Sequence, residues 1–398
     1  MIKFNKLYIY SFFLITVFCF LIGGVFQFFI GIPNIVFTYG VLSLFFLTYF
    51  IYIAVKRKLF LNKVIILHVL LISVILISGI VNKTNLVKTL IYLIFVLVPL
   101  GCYLFFKINN KEYYVAKLAI SKLFLLIAII QLPVLLIQNV GFDFFIGFNR
   151  SSQEIASFDF MFGTFFLKAD HSLGFFLLFN IINVYKNNEN FAITKYPRLV
   201  LVYLIITVFV AESNVTKLLL AFFIIYLIYN SFPKRIKIVG FFAALIILPI
   251  GFFQLRNIKA FEREVYFIER EYNPAKSLRN YERGIAKRPQ VVITYVTSQP
   301  LRIIGEGPYS YFDVLKGKFT STKHFSQLIW AYADLGIIGL ILVVMLLYAL
   351  AASLNLSKGT TNLIFVVILI YAFMTTIFSD LALMITFISL LQKRTKNT

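Results

Sequence analysis

Cysteine is almost missing from this sequence: there are two, Cys19 and Cys102, each inside an apolar run. Beyond one bond with each other they can form no disulfide framework, and no metal-binding Cys/His spacing occurs. Acid is scarce as well. Asp and Glu number 16 against 38 Lys and Arg, which gives a formal net charge of +22. There is one tryptophan, and there are three histidines, His68, His171 and His324. No Walker motif, no paired-Asp motif for a metal–nucleotide-sugar complex and no His/Cys cluster is present, so nucleotide hydrolysis and metal-centred catalysis have no sequence support. Internal repeats and low-complexity tracts are also missing.

What is present is apolar side chain. Of 398 residues 61% are hydrophobic and only 14% are charged. A soluble domain is about half apolar and about a quarter charged. One water-facing surface cannot hide this excess, so the sequence predicts lipid as its solvent. In a soluble protein the basic surplus would point to nucleic acid. Here the basic residues fall between apolar runs, where they act as topology signals and attract anionic headgroups.

A bilayer crossing needs about 20 apolar residues. The runs are 8–30, 34–55, 63–82, 86–106, 114–138, 171–185, 197–212, 216–232, 236–254, 326–350, 361–378 and 380–392. The last two are short and read either as a tight hairpin or as one broken element, so eleven and twelve crossings both fit. The first run follows Lys3 and Lys6 but is too long for a signal peptide and lacks a small-residue cleavage site, so it is expected to stay as a span. With the N-terminus inside, alternation puts about 20 basic residues on the inner side and 5 in short outer segments, namely Lys83, Lys88, Arg150, Lys168 and Lys217. The sequence thus divides into helices with an outer loop 139–170 (1–254), a large outer loop (255–325), and a C-terminal pair of helices with an inner tail (326–398). Within the large loop, 256–299 mixes charge with Val, Ile, Phe and Tyr and contains few helix breakers. It predicts two or three amphipathic helices on the membrane surface or over a cavity.

Several polar residues could carry chemistry. Arg279 and Arg283 are four apart, on one helical face that Lys287 continues. Two guanidiniums so placed can clamp a phosphate or pyrophosphate, or simply face anionic lipid. Gly305-Glu306-Gly307-Pro308-Tyr309-Ser310-Tyr311 is a turn signal, weak by itself, and a plain loop is the favoured reading there. His324, at the mouth of the span near Phe325, suits a general base near neutral pH or an interfacial polar residue. His68 lies inside a span and reads as a packed histidine. Glu212, Asp334 and Asp380 are costly in lipid and are expected to face the protein interior or a polar cavity. Trp330 and Tyr332 fit an interfacial aromatic belt.

These stretches resemble the Wzy/WaaL group of O-antigen polymerases and ligases. The 305–311 turn is similar to the family's G-x-G-P-x-S-F. His324-Phe325 followed by Trp330-Ala331-Tyr332-Ala333-Asp334-Leu335-Gly336-Ile337-Ile338-Gly339 resembles its H-N…E-x-G-I-I-G run. Gly163-Thr164-Phe165 through Asp170-His171-Ser172-Leu173-Gly174 is similar to its G-T-F…N-x-L-A entry to a span, and Ala211-Glu212-Ser213-Asn214 to its T-x-S-R. Asn214 stands where the family usually has a basic residue, with Lys217 close by, and Phe325 replaces the usual Asn.

The resemblance implies an all-α, polytopic, GT-C-like glycosyltransferase in the bacterial cytoplasmic (inner) membrane, with cytoplasmic termini, that works without metal or other cofactor. It implies a donor that is an undecaprenyl-diphosphate-linked oligosaccharide, polymerised on the outer face into O-antigen, capsule or exopolysaccharide. Transfer to a lipid or protein acceptor by a ligase, and transport of a lipid-linked sugar, are the alternatives. On this reading His324 is the base; Arg279, Arg283 and Arg150 bind the diphosphate; and Lys217, Gly305, Gly307 and Asp334 support them. The implied partners are the lipid bilayer, a chain-length regulator and a flippase, with no nucleic acid. The topology is directly testable. A cysteine in place of Lys276 should react with a membrane-impermeant thiol reagent added to intact cells, and reaction only after the membrane is opened would put the large loop on the wrong side.

Overall fold

In lipid every backbone N–H and C=O must be satisfied within the protein, so an apolar run resolves into a helix. The computed structural model describes residues 4–33, 36–56, 61–108, 113–151, 155, 160–165, 170–211, 213–233, 236, 273–286, 288–311, 326–354 and 356–390. Among these residues all regular structure is helical. The helices are α1 (Phe4–Val17), α2 (Gly23–Ile30), α3 (Ser43–Val55), α4 (Lys63–Val81), α5 (Leu86–Ile108), α6 (Tyr113–Val140) and the single turn α7 (Phe142–Phe145). They continue as α8 (Asp170–Phe191), α9 (Pro197–Val210), α10 (Asn214–Ser231), α11 (Pro274–Glu282), α12 (Arg288–Thr297), α13 (Gln327–Ala352), α14 (Lys358–Met374) and α15 (Leu381–Leu390).

The protein is a membrane-embedded helical bundle. Among the described residues, five segments, Lys6–Ile30, Lys63–Val81, Leu86–Lys107, Leu118–Val140 and Gln327–Ala352, are long and apolar enough to cross a bilayer. Shorter apolar helices stand at Gly40–Val55, Pro197–Val210, Asn214–Tyr229 and Lys358–Met374. The predicted run 236–254 lies outside the described residues, apart from Ile236. The final two runs are separate elements, divided at Thr375, whose backbone is extended. Two helices, α11 and α12, fall inside the large loop.

Local chemistry sets the helix ends. Asn62, Ser213, Ser326 and Ser357 each cap a helix by accepting a backbone N–H three residues on. Asn273 caps α11 with Pro274 at its first position, where a missing N–H costs nothing. α1 reaches α2 through a π-helical turn over Phe18–Ile22. Phenylalanine fills the core: Phe12 packs on Phe45, Phe46, Phe105 and Phe106, and Phe20 on Phe124, Phe165 and Phe176. His68 is buried in α4, with Nδ1 2.8 Å from the Val64 carbonyl oxygen.

Polar contacts sort the helix ends into two sets. At one end Asn62 donates to the Tyr103 hydroxyl (2.8 Å) and Lys107 Nζ donates to the Ser353 carbonyl (2.9 Å). The far end of α4 is roughly 28 Å away, since its 19 residues rise 1.5 Å each. There Ser78 and Asn82 bond to the backbone of Asp334 and Gly305. Gln327 near the start of α13 ties to Thr375 and Phe378, Asp380 is bonded to Ser172, and Thr216 bonds Ser213 and Tyr371. These tethers gather the predicted outer ends of α4, α8, α10, α13 and α14 on one side of the bundle.

One glycine decides whether that end closes. A Cβ on Gly305 would stand 2.3 Å from the Asp334 carbonyl carbon and 2.4 Å from the Leu335 nitrogen, both backbone atoms with nowhere to move. Gly305→Ala should cost about 3 kcal/mol by overpacking. A fall in the melting temperature of the purified protein measures it, and an unchanged melting temperature would show that the contact is loose.

Candidate functional site

Helix α13 is broken. Gly336 has φ 73° and ψ −165°, a conformation that costs an L-residue with a side chain far more than glycine. A break frees backbone groups that lipid cannot satisfy. The 302–311 segment takes them up. The Ile337 amide donates to the Arg302 carbonyl (2.9 Å), the Glu306 amide to Ala333 O (2.9 Å), and the Gly307 amide to Asp334 O (3.1 Å). Ser78 Oγ adds a second donor to Asp334 O (2.9 Å), and Asn82 Nδ2 donates to Gly305 O (2.9 Å).

The side chain of Asp334 completes the latch. Its carboxyl accepts from the Tyr309 amide (3.0 Å), the Ser310 hydroxyl (2.7 Å) and the Tyr311 amide (2.7 Å), and the residue is fully buried. A buried carboxyl without partners is heavily penalised; two backbone amides and a hydroxyl satisfy this one. The Gly305–Tyr311 turn is thus a fitted part of the bundle.

The turn also carries the loop helices. Tyr311, fully buried, packs edge-on to Tyr295 of α12 (6.4 Å), which packs edge-on to Tyr281 of α11 (6.0 Å). Asn280 donates to Gln290 Oε1 (3.0 Å), joining α11 to α12 a second time. Burial first, then the neighbouring Tyr281, pushes the Tyr295 hydroxyl well above its ordinary range. Beside the turn, Arg302 pairs with Glu306, which raises the arginine further.

Of the residues expected at a site, Arg279 and Arg283 lie at the end of α11, both exposed. Arg150 is exposed in the segment that follows α7, with its amide bonded to Phe28 O (2.8 Å). Lys217 is half-buried in the first turn of α10. Among the described residues, Arg150, Arg279, Arg283 and Lys217 make no ion pair with an acid. Gly305, Gly307 and Asp334 come together as described. His324, Phe325, Lys287, Glu212, Glu154, Asp159 and Lys168 lie outside the described residues. No three His, Cys, Asp or Glu side chains converge as metal ligands would, among the described residues.

One sequence expectation changes. Trp330, expected in an interfacial belt, is fully buried against Tyr92 (4.9 Å) and Phe95 (5.5 Å). It precedes Asp334 by one helical turn and so shares its inward face. Tyr332, on another face, accepts the Arg302 amide (3.2 Å) and donates to Pro300 O (3.4 Å), which anchors the loop. Sequence reasoning also missed Ser78, Asn82, Thr216 and Tyr371. The one available signal was the presence of polar residues inside or at the rim of apolar runs.

No protein-family model matches this chain, and no curated protein matches it. Asp334 therefore carries a prediction from geometry alone. Asp334→Ala leaves two amides and a hydroxyl unpaired and should cost roughly 3 kcal/mol, against about 1 kcal/mol for Ser310→Ala, which removes one bond. Hydrogen exchange at 305–311 should rise in the same order, and equal exchange in the two variants would remove Asp334 as the latch.

Proposed function

We propose that this protein is a membrane glycosyltransferase of the O-antigen polymerase and ligase kind. It extends an undecaprenyl-diphosphate-linked oligosaccharide on the outer face of a bacterial cytoplasmic membrane. On this reading the chain crosses eleven or twelve times, its termini are cytoplasmic, and 255–325 is the extracytoplasmic loop. The observation that carries the proposal is convergence. The described parts of the sequence stretches that bear the resemblance, 163–165, 170–174, 211 with 213–214, 305–311 and 330–339, come together at one end of the bundle. The 305–311 turn is bonded to Asp334. A Cβ on Gly174 would touch Thr216 and Ser213, so the 170–174 and 211–214 stretches abut. Asp380–Ser172 and Phe378–Gln327 tie the two groups together.

The chemistry asks for two things. A hydroxyl oxygen of the acceptor sugar attacks the anomeric carbon of the donor, the bond from that carbon to the diphosphate oxygen breaks, and its electron pair leaves with the lipid diphosphate. The hydroxyl proton needs an acceptor, and the departing diphosphate needs positive charge. His324 is the residue assigned to the proton. Arg279 and Arg283 are assigned to the diphosphate, with Arg150 and Lys217 as further cations. Among the described residues these exposed guanidiniums have no acidic partner, and fork geometry suits a diphosphate. The turn and Asp334 hold the loop in register with α13, while a chain-length regulator and a flippase would supply and time the substrate.

Purified protein in vesicles should convert a synthetic undecaprenyl-diphosphate repeat unit into longer chains. His324→Ala should reach the membrane at normal level and lose at least about 100-fold of the rate, the scale of general base catalysis. A normal polymer ladder from that variant would remove His324 from the mechanism. Transfer to a lipid A core or a protein, without chain growth, would make the protein a ligase. Movement of the lipid-linked sugar without new glycosidic bonds would make it a transporter.

A further inference from the structure

The last turn of α12 and the segment that follows it display exposed aliphatic side chains. Val296 and Leu301 are each 75% exposed, Ile303 is 65% exposed and Ile304 is 42% exposed. Exposed aliphatic residues crowded into so short a stretch are unusual in water and mark a surface made for an apolar partner.

The neighbours identify that partner. The segment runs beside α13 at its break: Ile337 donates to the Arg302 carbonyl (2.9 Å), and the Ile303 carbonyl oxygen stands 2.2 Å from where a Cβ on Gly336 would be. Beyond the break α13 presents Ile338, Ile341 and Met345, spaced i, i+3 and i+7, as an exposed face of a helix long and apolar enough to cross a bilayer. Exposed apolar residues therefore continue from a lipid-facing helix onto the segment packed against it. The only charges within the segment, Arg302 and Glu306, are paired with each other, which lowers the cost of nearing hydrocarbon. The backbone there is also partly satisfied by α13 and by Tyr332, as an apolar surrounding requires.

We propose that residues 301–304, with Val296, dip into the acyl-chain region of the adjacent leaflet and tether the large loop to the membrane at the α13 break. The proposal requires a bilayer and no particular activity, so it stands or falls separately from sugar transfer.

The test uses the full-length protein reconstituted in phosphatidylethanolamine/phosphatidylglycerol vesicles, with no other protein present. Nitroxide labels are attached to Leu301→Cys, Ile303→Cys and Val296→Cys, with Ile341→Cys as a lipid-facing control and Glu282→Cys as a water-facing control. Cys19 and Cys102 are buried and are replaced by alanine. Collision with oxygen, which concentrates in hydrocarbon, is compared with collision with a water-soluble nickel chelate. Labels at 301 and 303 should prefer oxygen, as the label at 341 does. Access to the chelate equal to that at 282 would put the segment in water and overturn the proposal. Protection from both reagents would also overturn it, because the patch would then be covered by protein, from this chain or a second copy. A variant that fails to reconstitute is replaced by its neighbour at 304, so the result does not depend on one substitution.

Discussion

A buried carboxylate closing a broken helix is the constraint on which this structure depends. Gly336 interrupts α13 where a continuous helix would have satisfied its own backbone. Something must then take up the freed amide of Ile337 and the freed carbonyls of Ala333 and Asp334, because lipid offers no hydrogen bonds. The 302–311 segment does so, and Asp334 secures it with three further bonds. The pieces support one another: the break makes room for the turn, the turn satisfies the break, and the acid is tolerable only because the turn surrounds it.

From this point the organisation spreads outward. Ser78 and Asn82 bind α4 to the same spot. Tyr311, Tyr295 and Tyr281 stack α12 and α11 above it, so the helix carrying Arg279 and Arg283 is mechanically linked to the interior of α13. Gln327, Asp380 and Thr216 extend the polar layer to α14, α15, α8 and α10. The opposite end of the bundle is tied more simply, by Asn62 to Tyr103 and Lys107 to Ser353. Among the described residues, this end of the bundle holds the larger share of the polar tethers between helices.

The sequence was informative where physics is local. Apolar runs are helices because lipid leaves the backbone no alternative, so their positions could be read to within a few residues: 63–82 against Lys63–Val81, and 86–106 against Leu86–Ile108. It was misleading for Trp330. An aromatic near a span's end suggests a belt, but helical phase puts it one turn from Asp334 and therefore inside. It placed Asp380 inward but could not pair it with Ser172, 208 positions away, which it meets because α8 and α15 pack together.

What the sequence determined by itself was the solvent and the secondary structure: composition demands lipid, lipid demands helices, and capping residues and glycines set where those helices stop. What the tertiary structure alone decided was the meaning of the polar residues. Gly305-x-Gly307 is a weak turn signal and Asp334 an expensive acid when each is taken separately. They become one device only when the chain returns across some 25 positions to bring amide donors to a carboxylate. The physical reason is one of range: hydrophobic burial in a bilayer acts on each run independently, while a hydrogen bond needs two partners within about 3 Å, and only the fold selects which partners those are.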